Sequence, residues 1–289
     1  METSRGTVYH RPVHALRDGL SIAGLIVVVW FFVFLDADAR GFDAFACWDV
    51  SLDDLYGRSM GQLTDLGAFR YSPPIGILMA SFHVLPFEAF YWLWAVFLSA
   101  SLVWVSRSWS LALCALVAVP ISIYLGNIDI PVAAAIVLGM RYPAVWSIPI
   151  LIRVTPGVGL LWFVVRREWR SLAVALGTTL LIAVPTMIVR PDLWAGFISM
   201  LIDNAGQDPH GFPIPLWLRA LASVAITIWA GRTSRPWAVA IAMTLIQPSF
   251  SIRSAAVGVA AIPLWRAQTW SQATSLPGPS GRRGQATRG

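Results

Sequence analysis

Seven Asp residues, at positions 36, 38, 43, 49, 53, 54 and 65, crowd into one short stretch between two apolar runs. A carboxylate so placed can act as a general base, taking the proton of a hydroxyl while that oxygen attacks an electrophile. Two cations suit the other half of such a reaction, the reception of a leaving phosphate: Arg70 at the end of the stretch and Arg153 inside an apolar run. An Arg at the centre of a membrane helix costs about 2.5–3.5 kcal/mol on insertion scales, so Arg153 needs a partner or a wet cavity. Arg153 is read both as a structural partner of Asp129 and as a functional cation. In Arg153-Val154-Thr155-Pro156 a helix breaker follows the charge, and irregular backbone at membrane depth is tolerated where protein or a cavity surrounds it. For any one of the seven Asp, solvation is the default, and Asp53 and Asp54 also suit turns or caps. His210 reads first as a surface residue, and His83 has no second ligand at metal-binding spacing, so no metal is expected. Trp194 and Trp217 are candidates to stack on a sugar face.

The elements that position these groups are membrane helices. Of 289 residues 57% are hydrophobic and 12% charged, with a mean hydropathy of +0.66 and fifteen Trp. A charged share about half that of a soluble domain leaves too little polar surface to face water everywhere, so lipid is the solvent for much of the chain. The net charge of +6 is scattered between apolar runs and in the tails, which speaks for membrane topology and against a nucleic-acid partner. Cys47 and Cys114 lie in different settings, so no disulfide is expected.

The apolar runs are Leu20–Leu35, Ile75–Leu85, Phe87–Val105, Ser110–Leu125, Ile128–Met140, Ala144–Val165, Ser171–Val189, Ile214–Ala230, Trp237–Ile246 and Ala255–Trp265. They predict an all-α polytopic bundle of about eight to ten spans, several shorter than the ~20 residues that cross a bilayer unaided. Arg5, Arg11 and Arg17, the Arg166-Arg167-Arg170 cluster, Arg232 and Arg235, and the tail Arg residues place both termini in the cytoplasm. The expected organisation is a cytoplasmic segment 1–18, a transmembrane domain 19–266 and a disordered tail 267–289. Residues 36–72 and 190–213 form the two large extracytoplasmic loops. In the first, apolar residues interleave with Asp over Phe42–Val50 and Leu52–Tyr56, a pattern suited to short helices on the membrane surface.

The motifs also occur in a recognisable order: Gly41-Phe42-Asp43-Ala44-Phe45, Asp54-Leu55-Tyr56-Gly57, Phe69-Arg70-Tyr71-Ser72-Pro73-Pro74, Leu85-Pro86, Gly126-Asn127-Ile128-Asp129, Arg153-Val154-Thr155-Pro156, Arg166-Arg167-Glu168-Trp169-Arg170 and Gln247-Pro248-Ser249. In this order the chain resembles glycosyltransferase family 87, polyprenyl-phosphate-mannose-dependent enzymes of the GT-C superfamily, over about residues 18–266. Where the family usually has Gly-Gln-x-Asn and Lys-x-x-Pro, this chain has Gly126-Asn127-Ile128-Asp129 and Arg153 with Pro156. The resemblance implies a GT-C-like fold in a bacterial plasma membrane. It also implies inverting transfer of a hexose, mannose foremost, from a polyprenyl-phosphate donor to a glycolipid or glycan acceptor outside the cytoplasm, with no cofactor. By position, Asp43 matches the catalytic base, with Asp49 as second choice. Arg153, then Arg70, would receive the phosphate, with Tyr71, Asn127 and His210 completing substrate binding. The competing expectation is a catalytically inactive relative or a transporter-like protein acting in envelope assembly.

Overall fold

The computed structural model describes residues 10–60, 66–205, 213–248 and 251–275. Asp65, Asp208 and His210 therefore lie outside the described residues. The described chain is all helix, with no strand. It opens with α1 (His10–Phe34), the short α2 (Phe42–Trp48) and α3 (Pro73–Ala80), then the long α4 (Phe87–Ser106). Five short helices follow: α5 (Ser110–Leu113), α6 (Ala118–Leu125), α7 (Asp129–Gly139), α8 (Ser147–Ile152) and α9 (Leu161–Val165). The chain closes with α10 (Trp169–Val189), α11 (Pro191–Asp203), α12 (Leu216–Thr233), α13 (Pro236–Leu245), a 3-10 helix over Ile252–Ala260 and α14 (Ala261–Ser275).

Three stretches are long and apolar enough to cross a membrane: Pro12–Phe34, Phe87–Leu113 and Trp169–Val189. The α6–α7 pair, bent by 112°, makes a fourth if counted as one span. This is the membrane helical protein expected, but with far fewer full-length spans than its ten apolar runs. Proline explains much of the difference, because it removes an N–H and clashes with the carbonyl four residues earlier. Pro120 opposes Leu116, and Ser110–Leu125 breaks there into α5 and α6. Pro156 opposes Ile152, the last residue of α8, so Ala144–Val165 becomes two helices joined by 3-10 turns. The same residue at a first helical position is harmless, as at Pro73, Pro191 and Pro236.

The core runs along α4, α7, α13 and the Ile252–Ala260 segment, where Leu98, Ile130, Ala133, Ile136, Val239, Ala240 and Ala260 are fully buried. By contrast Ile22, Ile26, Val33, Leu181, Ile188 and Val189 on α1 and α10 are largely exposed. An apolar outer surface of that extent belongs in lipid.

In the first loop, Phe42–Trp48 is helical as expected. Leu52–Tyr56 is not a helix; it is a series of bends that turns Leu55 and Tyr56 into the core. Burial of two large side chains outweighs the surface amphipathicity that their alternation suggested. Helix α11, in the second loop, lies over the first. Phe197 packs on Tyr56 at 5.7 Å, Asn204 Nδ2 donates to Ser59 O at 2.9 Å and Arg190 donates to Leu52 O at 2.8 Å. At the far end of the chain, α14 carries helix through Ser275, past the expected start of the tail, and residues 276–289 lie outside the described residues.

Candidate active site

The bend between α6 and α7 builds the site. Gly126 ends α6 in the left-handed conformation, φ 77°, which lets the chain reverse without a Cβ penalty. A Cβ at Gly126 would lie 3.0 Å from Ala44 N and 3.1 Å from Ala44 Cα, so α2 rests directly on the turn. Three groups complete the seating: Gly41 N donates to Tyr124 O at 3.0 Å, Tyr91 Oη to the same carbonyl at 3.1 Å, and Trp94 Nε1 to Gly126 O at 2.8 Å. Buried carbonyls freed by the bend thus find donors, and α2 is fixed with Asp43 in its first turn.

Asp43 opens onto a cleft lined by Phe42, Ala46, Ala68, Arg70, Tyr71, Asn127, Asp129, Arg153, Ser251, Arg253 and Ser254. Asp43 Oδ2 accepts from Asn127 Nδ2 at 2.9 Å and pairs with Arg253 at 2.8 Å. Among the described residues Oδ1 has no hydrogen bond. Asn127 Oδ1 in turn accepts from Asp129 N at 2.9 Å, which orients its amide toward Asp43. Asp129 is only 1% exposed and forms an ion pair with Arg153 at 2.9 Å. Arg153 also donates to Gln247 at 2.5 Å. Behind Gln247, buried Arg219 donates to the carbonyls of Ile214, Gln247 and Pro248 at 3.0, 2.6 and 3.3 Å, pinning the turn after α13.

Arg70 and Tyr71 enter from the end of the first loop. Arg70 Nε is buried without a hydrogen-bond partner, the kind of orphan donor that asks for an explanation. Burial pushes the Arg70 guanidinium down; Tyr71 and Asp43 oppose this, while Arg153 and Arg253 add to it. It remains a cation, since guanidinium does not deprotonate in proteins. Tyr71 lines the same cleft as Arg153. Burial pushes the Tyr71 phenol up, so it stays a neutral donor, and burial followed by Asp43 pushes the Cys47 thiol to about 12.

Of the site residues expected from sequence, Asp43, Arg70, Tyr71, Asn127 and Arg153 meet at this one cleft, and His210 lies outside the described residues. Arg153 pairs with Asp129, as its structural reading expected, and it also lines the cleft. Asp49 is not brought there. It pairs with exposed Arg58 on the outer face of the loop. Surface pairs of this kind contribute about 0–1 kcal/mol, so Asp49→Asn is expected to change turnover by less than about threefold, measured as initial rates against wild type. Trp194 donates to Thr186 Oγ1 at 3.1 Å and packs on Phe197, while Trp217 is exposed away from the cleft. Arg253, Ser251 and Ser254 were not anticipated. The two Ser residues cap the Ile252–Ala260 helix reciprocally, and that cap fixes where Arg253 enters.

The family model for "Glycosyltransferase family 87" matches residues 69–276, most of the chain. The chain belongs to glycosyltransferase family 87. Among curated proteins and among solved structures, comparison finds no match. Membership makes this a membrane glycosyltransferase. The family match contains Arg70, Tyr71, Asn127, Asp129, Arg153, Gln247 and Arg253, and it begins after α2, so Asp43 is joined to the family's residues by the geometry of the cleft.

Proposed function

We propose that the protein transfers a hexose, mannose foremost, from a polyprenyl-phosphate sugar to a lipid or glycan acceptor on the extracytoplasmic side of a bacterial plasma membrane, with inversion at the sugar carbon. The observation that carries this reading is that Asp43 and three Arg residues share one cleft in a family 87 chain. In the proposed step Asp43 takes the proton of the acceptor hydroxyl. The hydroxyl oxygen forms the bond to the sugar's anomeric carbon from the face opposite the phosphate, and the carbon–oxygen bond to the phosphate breaks. Its electron pair leaves on the lipid phosphate, which passes from a singly charged diester toward a doubly charged monoester.

The charges of the cleft follow that change. Arg70, Arg153 and Arg253 against Asp43 and Asp129 leave one formal positive charge. When Asp43 accepts the proton, the balance becomes two as the departing phosphate gains its second negative charge. Stabilisation that grows along the reaction coordinate lowers the barrier, whereas equal binding of both states would not.

The cleft encloses about 70 Å³, room for only a few water molecules. Substrate entry therefore requires side chains to move. Arg253 is the natural one, exchanging Asp43 for the donor phosphate. On that basis Arg253→Gln is expected to slow transfer by roughly 10²-fold, and Arg253→Lys to recover part of it, read as kcat at saturating donor. The same Asp43–Arg253 pairing favours the second reading, an inactive relative whose carboxylate is permanently engaged. Purified protein incubated with labelled polyprenyl-phosphomannose and membrane lipids separates the two: labelled product supports transfer, and neither binding nor product supports the inactive relative.

A further inference from the structure

A second concavity lies at the other end of the bundle. It is a groove of about 350 Å³ lined by Trp104, Val105, Arg107, Val137, Pro263, Arg266 and Ala267. Val137 stands eight residues along α7 from Asp129, about 12 Å away by helical rise. Along α4 the separation is greater: Phe87 touches Phe45 of the first loop at 5.3 Å, while Trp104 and Val105 lie near the helix's opposite end. The groove is thus separate from the cleft.

Its chemistry is two guanidiniums over an apolar floor. Arg266 stacks over the Trp109 ring at 5.8 Å, which holds it at the rim. Arg107 is the first residue after α4 and adopts φ 52°, ψ −121°, a region costly for any residue with a side chain. A glycine would suit that turn without strain, yet the position carries a cation that is exposed and makes no ion pair or hydrogen bond among the described residues. Nor do α4 and α7 bring a carboxylate to Arg107: Glu88 lies in the first turn of α4 and Asp129 in the first turn of α7, at the ends away from the groove. The floor of Val105, Val137 and Pro263, edged by half-exposed Trp104, is suited to hydrocarbon.

We propose that this groove binds the phosphate of an anionic membrane phospholipid, with Arg107 and Arg266 on the phosphate oxygens and an acyl chain along Val105, Val137 and Pro263. Guanidinium forks match phosphate oxygens, basic pockets between membrane helices accept anionic headgroups, and Trp residues favour membrane interfaces. The site is independent of the sugar-transfer reading, because it uses none of the residues of the cleft.

The test is binding of short-chain phosphatidylglycerol, phosphatidylcholine and inorganic phosphate to the purified full chain in a non-ionic detergent, read as retained ligand by native mass spectrometry. Phosphatidylglycerol is expected to bind saturably. Loss of affinity should be about fivefold for Arg107→Gln or Arg266→Gln and about 30-fold for both, with Arg→Lys at both positions recovering most of it. Equal affinity in the double Gln variant overturns the proposal, as does equal binding of phosphatidylcholine or of inorganic phosphate alone. Matching unfolding curves for the double variant and wild type in detergent alone establish the fold. Should Arg107→Gln fail to fold, Arg266→Gln, which leaves the strained turn untouched, carries the same fivefold test.

Discussion

Asp43→Asn is expected to lower sugar transfer by about 10²–10⁴-fold, the range typical of a positioned general base. The substitution keeps the size and shape of the side chain, so α2 should remain seated on the α6–α7 turn through Gly41 N, Ala44 and Gly126. What changes is proton affinity: an amide cannot take the acceptor's proton, and the proposed rise in positive charge as the phosphate departs is lost. Arg253 also loses its ionic partner, but both side chains are partly exposed, at 23% and 18%, so the stability change should stay near about 1 kcal/mol. Initial rates with polyprenyl-phosphomannose, with an unfolding curve for each variant, make the comparison. Full activity in Asp43→Asn sinks the assignment of the base. A fall in activity shared equally by Asp49→Asn shows that the loop as a whole, and not this carboxylate, is being disturbed.

The second large effect is on stability. Asp129 is almost completely buried and Arg153 mostly so. Removing one charge from such a pair leaves the other uncompensated in a medium of low polarity, a loss of about 3–5 kcal/mol. For Asp129→Asn the lower end, about 3 kcal/mol, is expected, because Arg153 keeps its hydrogen bond to Gln247 and some contact with water. Thermal unfolding in detergent measures it. The double variant Asp129→Asn with Arg153→Gln should recover much of the stability while remaining inactive. This separates holding the cleft together from acting within it. An Asp129→Asn protein as stable as wild type would mean that the pair is not a structural tie.

Much of the cleft was legible in residue types and order. An acidic loop, an Arg within an apolar run and a Gly-Asn-Ile-Asp turn are each visible locally. The structure adds that Asn127 faces Asp43, which follows from the αL turn at Gly126 and from nothing in the hydropathy. Arg253 was not legible. It lies in the connection before Ala255–Trp265, where no periodicity or cluster singles it out; the one available signal was an Arg in a region of the chain without acidic residues. For the fold, helical class and the long spans Phe87–Ser106 and Trp169–Val189 followed from apolar length. The continuous runs Ser110–Leu125 and Ala144–Val165 misled because hydropathy carries no information on backbone continuity. Pro120 and Pro156 break those runs through sterics.

The Asp43–Arg253 pair joins positions 210 apart in the chain, and that distance sets an order of events during synthesis. Chains emerge N-terminus first, at about 5–20 residues per second. Asp43 is thus made at least about ten seconds before Arg253 exists to meet it, and the turn at Gly126 that seats α2 appears between the two. Until then the carboxylate has Asn127 but not Arg253 to pair with. A nascent chain stalled before residue 253 can have inserted α1, α4 and α10 and still lack the arrangement in the cleft. The ion pair therefore works as a sign of completion, one that can form only after nearly the whole bundle has been made.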